Sequence, residues 1–204
     1  MYTNVIKETF RGCQTVSLSD EMFISRVISF TEEVTPKSME TLILQLLHLE
    51  QSSPGEKITL LINSPGGDVT SGLAAVDVMN SLTSPIRTVC TGMAASMAVL
   101  LFLQGKERVA LKHSTFMLHD PSFSGGDMAG VKPLNMQESL DRLFQIRKEL
   151  AGIIAECTGN TLDAVYEKTK TDCYMNAQEA LEFGIVNEIG KSVFGFDTNT
   201  NQKG

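Results

Sequence analysis

The sequence has no tryptophan, few cysteines and no long hydrophobic run, and two of these shortages exclude a class of protein. Its longest apolar run, 93–103, is interrupted by a serine and is shorter than the ~20 residues that a membrane-spanning helix needs. The cysteines form no CxxC pair, which excludes the usual zinc spacing and disfavours a disulfide framework. We therefore expect reduced thiols, no metal site and no membrane contact. The cysteines are Cys13, Cys90, Cys157 and Cys173.

Positive charge is also scarce. Seventeen Lys and Arg stand against 24 Asp and Glu, which gives a formal net charge of −7 at pH 7. Nucleic-acid binding proteins normally present a basic face, so this balance argues against a nucleic-acid partner. The 204 residues, 42% of them hydrophobic, suffice for one domain with a substantial core.

Strand-like and helix-like segments alternate from residue 26 onward, which predicts an α/β fold with a mainly parallel sheet covered by helices. We divide the chain into an N-terminal arm at 1–25, one domain at 26–195 and a flexible tail at 196–204. Gly92 is expected to form a turn between a strand and a helix. The predicted strands are 26–30, 57–63, 86–91, 108–111, 115–118 and 185–189, and the predicted helices are 36–50, 70–82, 95–103, 133–157, 162–170 and 177–183.

The segment GMAAS, residues 92–96, places Ser96 at the start of an apolar helix that follows a strand. Ala94 and Ala95 would let a substrate backbone approach. The helix N-terminus, with the amide of Met97, offers N–H groups to a developing oxyanion. Ser96 is therefore a candidate nucleophile, and the alternative is a helix cap or a small packing residue.

The segment SPGG, residues 64–67, follows another predicted strand. Two consecutive glycines leave the backbone uncovered, so the N–H of Gly67 could donate to an oxyanion or to an extended peptide. The alternative is an ordinary tight turn. Both segments lie where parallel strands end, which is where α/β sheets usually carry their sites.

A serine nucleophile needs a general base, and the sequence offers three histidines. His48 lies within a predicted helix, and His113 lies in a predicted exposed turn. His119 ends a predicted strand and faces the loops, which suits a general base. The orienting carboxylate could be Asp172, which follows a helix, or Asp120, and the pattern alone leaves this choice open.

Four segments, taken in order, resemble the proteolytic subunit of the Clp protease, ClpP, between about residues 24 and 190. Each segment alone is moderate evidence for this family, and the four segments in this order and at this spacing are strong evidence. The segments are INSPGG at 62–67, GMAASMAVLL at 92–101, MLHDP at 117–121 and TDCYMNAQEALEFGIVNEI at 171–189.

The resemblance implies a serine endopeptidase with a Ser–His–Asp triad. Ser96 is then the nucleophile, His119 the base and Asp172 the orienting acid. The backbone N–H groups of Gly67 and Met97 fall at the oxyanion hole. No cofactor or metal is implied.

The resemblance also implies the ClpP/crotonase-like fold of repeated ββα units, with a protruding handle helix in a segment at about 122–158. Heptameric rings would form a hollow tetradecamer, and an AAA+ unfoldase would feed unfolded polypeptides into it. The chain has no GxxxxGK[ST] motif, so ATP would be used only by that partner. A cytoplasmic location of bacterial type is expected, with an organellar origin left open.

Several assembly positions depart from the family pattern. Thr59 and Leu61 stand where many relatives carry tyrosines that help to line the docking pocket of the unfoldase. Lys170 and Thr171 stand where relatives often carry charges that pair across the rings. We therefore expect a divergent subunit, which suits a mixed barrel with a second ClpP. Two alternatives are a structural or regulatory subunit with low activity and a crotonase-like acyl-CoA enzyme, which would not need a serine nucleophile.

Overall fold

The structure is a computed structural model that describes residues 4–9, 12–123 and 132–194. The glycine-containing stretch 124–130, expected before the handle helix, and the tail 196–204 lie outside the described residues. The strands are β1 (Asn4–Thr9), β2 (Gly12–Ser17), β3 (Val27–Phe30), β4 (Ile58–Ser64), β5 (Ile86–Ala95), β6 (Glu107–Ala110), β7 (Thr115–Leu118), β8 (Cys173–Asn176) and β9 (Glu188–Ile189). The helices are α1 (Leu18–Ile24), α2 (Pro36–Ser52), α3 (Val69–Ser81), α4 (Met97–Leu103), α5 (Pro133–Thr158), α6 (Leu162–Thr169) and α7 (Ala177–Glu182).

The central sheet is mainly parallel, as predicted. Strands β3, β4, β5, β6 and β9 follow one another in that order with parallel pairing. Strand β5 changes partner along its length: residues 87–90 pair with β6 and residues 93–95 pair with β7. Strand β8 then pairs antiparallel with β7. The sheet therefore divides at the far end of β5, where the serine-containing segment lies.

The prediction that Gly92 forms a turn is wrong, because β5 continues through it to Ala95. Asn63, at the end of β4, accepts a hydrogen bond from the N–H of Met93 at 2.9 Å. A Cβ atom at Gly92 would lie 2.5 Å from the Asn63 side-chain oxygen. The glycine therefore makes room for a side chain that keeps the strand extended, and α4 begins at Met97 rather than at Ala95.

The N-terminal arm, for which no strand or helix was predicted, is a hairpin of β1 and β2 followed by α1. None of its described side chains is buried, and Ile6 is 70% exposed. A hairpin with no buried face shows no strict alternation of apolar and polar residues, which explains why the pattern did not reveal it.

Several helices begin and end at residues that are typical helix caps. Thr35 and Ser38 form a reciprocal capping box at the start of α2, and Asn176 forms another with Glu179 at α7. Gly159, with φ 75°, ends α5 in the left-handed conformation.

The last strand is shorter than predicted. It covers only Glu188–Ile189, because Ile185 and Val186 are buried in a turn after α7. The guanidinium of Arg108 donates to the carbonyl of Ile185 at 2.8 Å, so a side chain serves that carbonyl in place of a strand partner.

Helix α4 lies in the centre of the core. All seven of its residues are buried, which is typical of a helix that is apolar on every side. Phe102 packs edge-to-face against Phe116 of β7, with ring centroids 5.1 Å apart. In the described residues no helix is long and apolar enough to cross a bilayer. The rigid packing of α4 fixes the turn that precedes it.

Candidate active site

Ser96 occupies the turn between β5 and α4 in a strained backbone conformation, with φ 52° and ψ −125°. Such angles are costly for a residue with a Cβ atom and persist only where the surroundings enforce them. The N–H of Ser96 donates to the carbonyl of Met117 at 2.8 Å. Ser96 occupies the N-cap position of α4, but its hydroxyl makes no helix-capping hydrogen bond.

The hydroxyl instead meets His119, with Ser96 Oγ and His119 Nε2 2.8 Å apart. The pairing of Ala95 with Met117 in the β5–β7 ladder brings the ends of both strands together. The other two histidines lie elsewhere. His113 is exposed in a turn, and His48 is exposed with its ring stacked on Phe23 at 5.7 Å.

The two glycines of the SPGG segment fit against this turn. Gly66 has φ 87°, and a Cβ atom there would lie 2.4 Å from the carbonyl oxygen of Ala95. Gly67 has φ 144° and forms a parallel bridge with Val34. Within the described chain, the backbone N–H groups of Gly67 and Met97 donate no hydrogen bond. Both amides therefore stay available beside the Ser96 turn.

A cavity of about 300 Å³ opens beside Ser96 and His119. Gly67 and Met97 line it together with them. Its remaining wall is mostly apolar, so it suits an apolar group next to the reacting atoms. The apolar lining includes Val69, Leu100, Met117, Leu118, Leu150 and Ile154.

Asp172 is not among the described residues that line this cavity. Asp172 is exposed and immediately precedes β8. The β7–β8 ladder pairs Leu118 with Cys173, and one further step of the same register sets His119 opposite Asp172. The Asp172 side chain makes no hydrogen bond or ion pair with any described residue. The structure thus brings Ser96 and His119 into contact. Asp172 makes no such contact, and it lies next to the end of the β7–β8 ladder, as His119 does.

Asp120, the other candidate acid, is engaged by a residue that the sequence analysis did not identify. Its Oδ2 atom accepts from Nε of Arg147, on α5, at 2.6 Å. Arg147 is one of several charged residues along an amphipathic helix, and no sequence signal marks it. The role of Asn63 was also missed, because its contact with the N–H of Met93 joins two different strands.

Comparison with known proteins agrees with the predicted resemblance. The model of the Clp protease family matches residues 11–193. The chain is 34% identical over 187 residues to the ATP-dependent Clp protease proteolytic subunit 2 of Chlamydia trachomatis serovar D, covering 91% of this chain and 90% of the relative. It is also 34% identical over 190 residues to proteolytic subunit 2 of Chlamydia muridarum and to proteolytic subunit 1 of Chlamydia felis, with 92% of both chains covered in each case.

Proposed function

The chain belongs to the Clp protease family, and we propose that it is a serine endopeptidase that cleaves unfolded polypeptides into short peptides. The observation that carries this proposal is the 2.8 Å contact between Ser96 Oγ and His119 Nε2 at a strained turn. Strain at a serine between a strand and a helix is typical of an exposed nucleophile. The relatives do not favour the two alternatives, a crotonase-like acyl-CoA enzyme and a structural or regulatory subunit with low activity.

The proposed reaction begins when Ser96 Oγ attacks the scissile carbonyl while His119 Nε2 takes its proton. The negative charge that develops on the carbonyl oxygen is stabilised by the N–H groups of Gly67 and Met97. His119 then gives the proton to the leaving amine, which departs and leaves an ester on Ser96. Water, deprotonated by His119, hydrolyses this ester and restores the hydroxyl.

We assign Asp172 the role of holding the imidazole in the correct tautomer and orientation. The β7–β8 register supports this assignment, because it sets Asp172 opposite His119. Asp120 is a weaker candidate, since Arg147 already occupies its carboxylate.

The proposal extends to a barrel of heptameric rings, a homo-tetradecamer or a mixed particle with a second ClpP subunit. Exposed apolar side chains on α5, including Leu134 at 78% and Phe144 at 64%, suit a helix that another subunit covers. An AAA+ unfoldase would supply unfolded chains and would alone use ATP, in the cytoplasm. Lys170 pairs with Glu167 on the exposed surface, and its flexible ammonium lacks the planar fork of an arginine, which favours the mixed particle.

Hydrolysis of a fluorogenic peptide tests the proposed function. Ser96→Ala removes one hydroxyl, so we expect unchanged particle mass and a loss of hydrolysis on the order of 10⁶-fold. Ser81→Ala is the matched control, because Ser81 is an exposed serine on α3 that does not line the cavity, and it should keep its activity. Ser96→Ala activity above a tenth of the wild-type value would overturn the assignment of Ser96.

A further inference from the structure

Arg147, on helix α5, contacts two segments that carry residues of the candidate site. One is the segment after His119, and the other is helix α6, which precedes Asp172. Its Nε atom donates to Asp120 Oδ2 at 2.6 Å, and Asp120 directly follows His119. Its guanidinium carbon also lies 4.2 Å from the ring centroid of Tyr166, on α6. A planar guanidinium can pair with a carboxylate through its edge while an aromatic ring covers its face. One side chain therefore joins the end of β7 to α5 and α6.

The backbone of Asp120 adds a second connection to the same region. Its N–H donates to the carbonyl of Thr169 at 2.8 Å, and Thr169 is buried at the end of α6. Asp172 lies three residues further along the chain. The segment that carries the proposed base and the segment that carries the proposed acid therefore meet at Asp120.

The burial of the Asp120–Arg147 pair makes it a stiff connection. The side chains of Arg147 and Asp120 are only 29% and 31% exposed. Fully exposed ion pairs contribute little to geometry, because solvent screens them and long side chains move freely. Here the ring of Tyr166 restricts the guanidinium, so the position of Asp120 is tied to α5.

We propose that Arg147 is a positioning residue, which holds Asp120 against α6 and so sets the spacing between His119 and Asp172. The inference rests on the proposed function. A movement of α5 would displace His119, the proposed base, through Arg147 and Asp120. It would displace Asp172, the proposed acid, through Tyr166 and Thr169. Arg147 itself takes no part in the bond-making steps.

Peptide hydrolysis by three variants tests the positioning role. Arg147→Gln and Asp120→Asn should each lower kcat about ten- to a hundredfold, the range that small misplacements of reacting groups cause, and leave KM within about twofold. The double variant should be no slower than either single variant, because both changes break the same contact. Arg147→Lys should recover part of kcat, since it keeps the charge and loses the planar stack.

Arg142→Gln is the matched control for loss of a positive charge on α5. Arg142 is exposed on the same helix and forms no ion pair with any residue in the described ranges. It should keep the wild-type kcat. A similar loss of kcat in Arg142→Gln and Arg147→Gln would overturn the inference, because a general charge effect would then explain both.

Hydrogen exchange supplies a readout that does not depend on hydrolysis. Arg147→Gln should speed amide exchange in peptides that cover 118–123 and 166–172, while Arg142→Gln should not. Unchanged exchange in Arg147→Gln would overturn the inference, whatever the hydrolysis assay shows. Absence of Ser96-dependent hydrolysis in the wild type would instead overturn the proposed function. If Arg147→Gln fails to fold, Asp120→Asn has a nearly identical shape and should give the same faster exchange.

Discussion

The two halves of the candidate site are built in different ways. Ser96 and His119 meet at the ends of two paired strands, against a fully buried helix and a glycine that has no room for a side chain. Asp172 lies on an exposed segment after a short helix, with no polar contact to the described residues. The core of a single chain therefore fixes Ser96 and His119, whereas the position of Asp172 depends on exposed segments.

The half fixed by the core should show the largest effect on mutation. His119→Ala removes the ring nitrogen that lies 2.8 Å from the Ser96 hydroxyl, so peptide hydrolysis should fall on the order of 10⁶-fold. His113→Ala, a change at an exposed turn, is the matched control and should keep its activity. Equal losses in the two variants, measured with the same peptide, would contradict the assignment of the base.

Mutation of Asp172, in the exposed half of the site, should cause a smaller but still large loss of peptide hydrolysis. Asp172→Asn keeps the shape of the side chain but no longer holds the imidazole in the right tautomer, so hydrolysis should fall roughly 10⁴-fold. Asp120→Asn should lose far less, because Arg147 engages Asp120. Steady-state kinetics of both variants decides between them, and a reversed order would identify Asp120 as the acid.

Assembly into rings should change the position of Asp172, in the exposed half of the site, more than the positions of Ser96 and His119. Thr171 is exposed beside Asp172 and carries no charge, and the exposed Lys170 offers an opposing ring only one flexible ammonium without a planar fork. A missing charged hydrogen bond costs about 1–3 kcal/mol, repeated around each ring. We expect single rings or a loosely joined barrel with low hydrolysis, which rises when a typical ClpP partner is added. Analytical ultracentrifugation with parallel peptidase assays measures both, and a stable, fully active homo-tetradecamer at sub-micromolar concentration would contradict this expectation.

A region far from the site should show the smallest effect, confined to stability at acid pH. Hydrogen bonds from Ser84 and Thr83 lower the pKa of Glu50 from 4.5 to about 2. The ionised Glu50 carboxylate therefore stabilises the folded protein fully above about pH 4.5, and this stabilisation is lost as the pH falls toward 2. Glu50→Gln should lower the Tm at pH 7 and match the wild type near pH 2.

Thermal unfolding across that pH range measures this effect. Glu40→Gln, a change at an exposed position on the same helix, is the control and should leave the Tm curve unaltered. A Tm difference between Glu50→Gln and the wild type that stays constant with pH would show that the carboxylate charge is not involved.

Sequence patterns predicted the half of the site that the core fixes, Ser96 and His119, more fully than the exposed half around Asp172. Glycines, capping residues and strand ends are local signals, so they indicated Gly67, Ser96 and His119 and the boundaries of α2 and α5. The contact of Asp120 with Arg147 joins residues 27 positions apart, and no local pattern encodes it. The continuation of β5 through Gly92 likewise depends on Asn63, which lies on a different strand.

A fluorophosphonate probe, followed by mass spectrometry of the intact protein and of its peptides, tests whether Ser96, activated by His119, is the reacting nucleophile. We expect one probe per chain, located on Ser96, and far slower labelling in His119→Ala. Labelling of another residue, or equal labelling rates in the wild type and in His119→Ala, would contradict this role of Ser96.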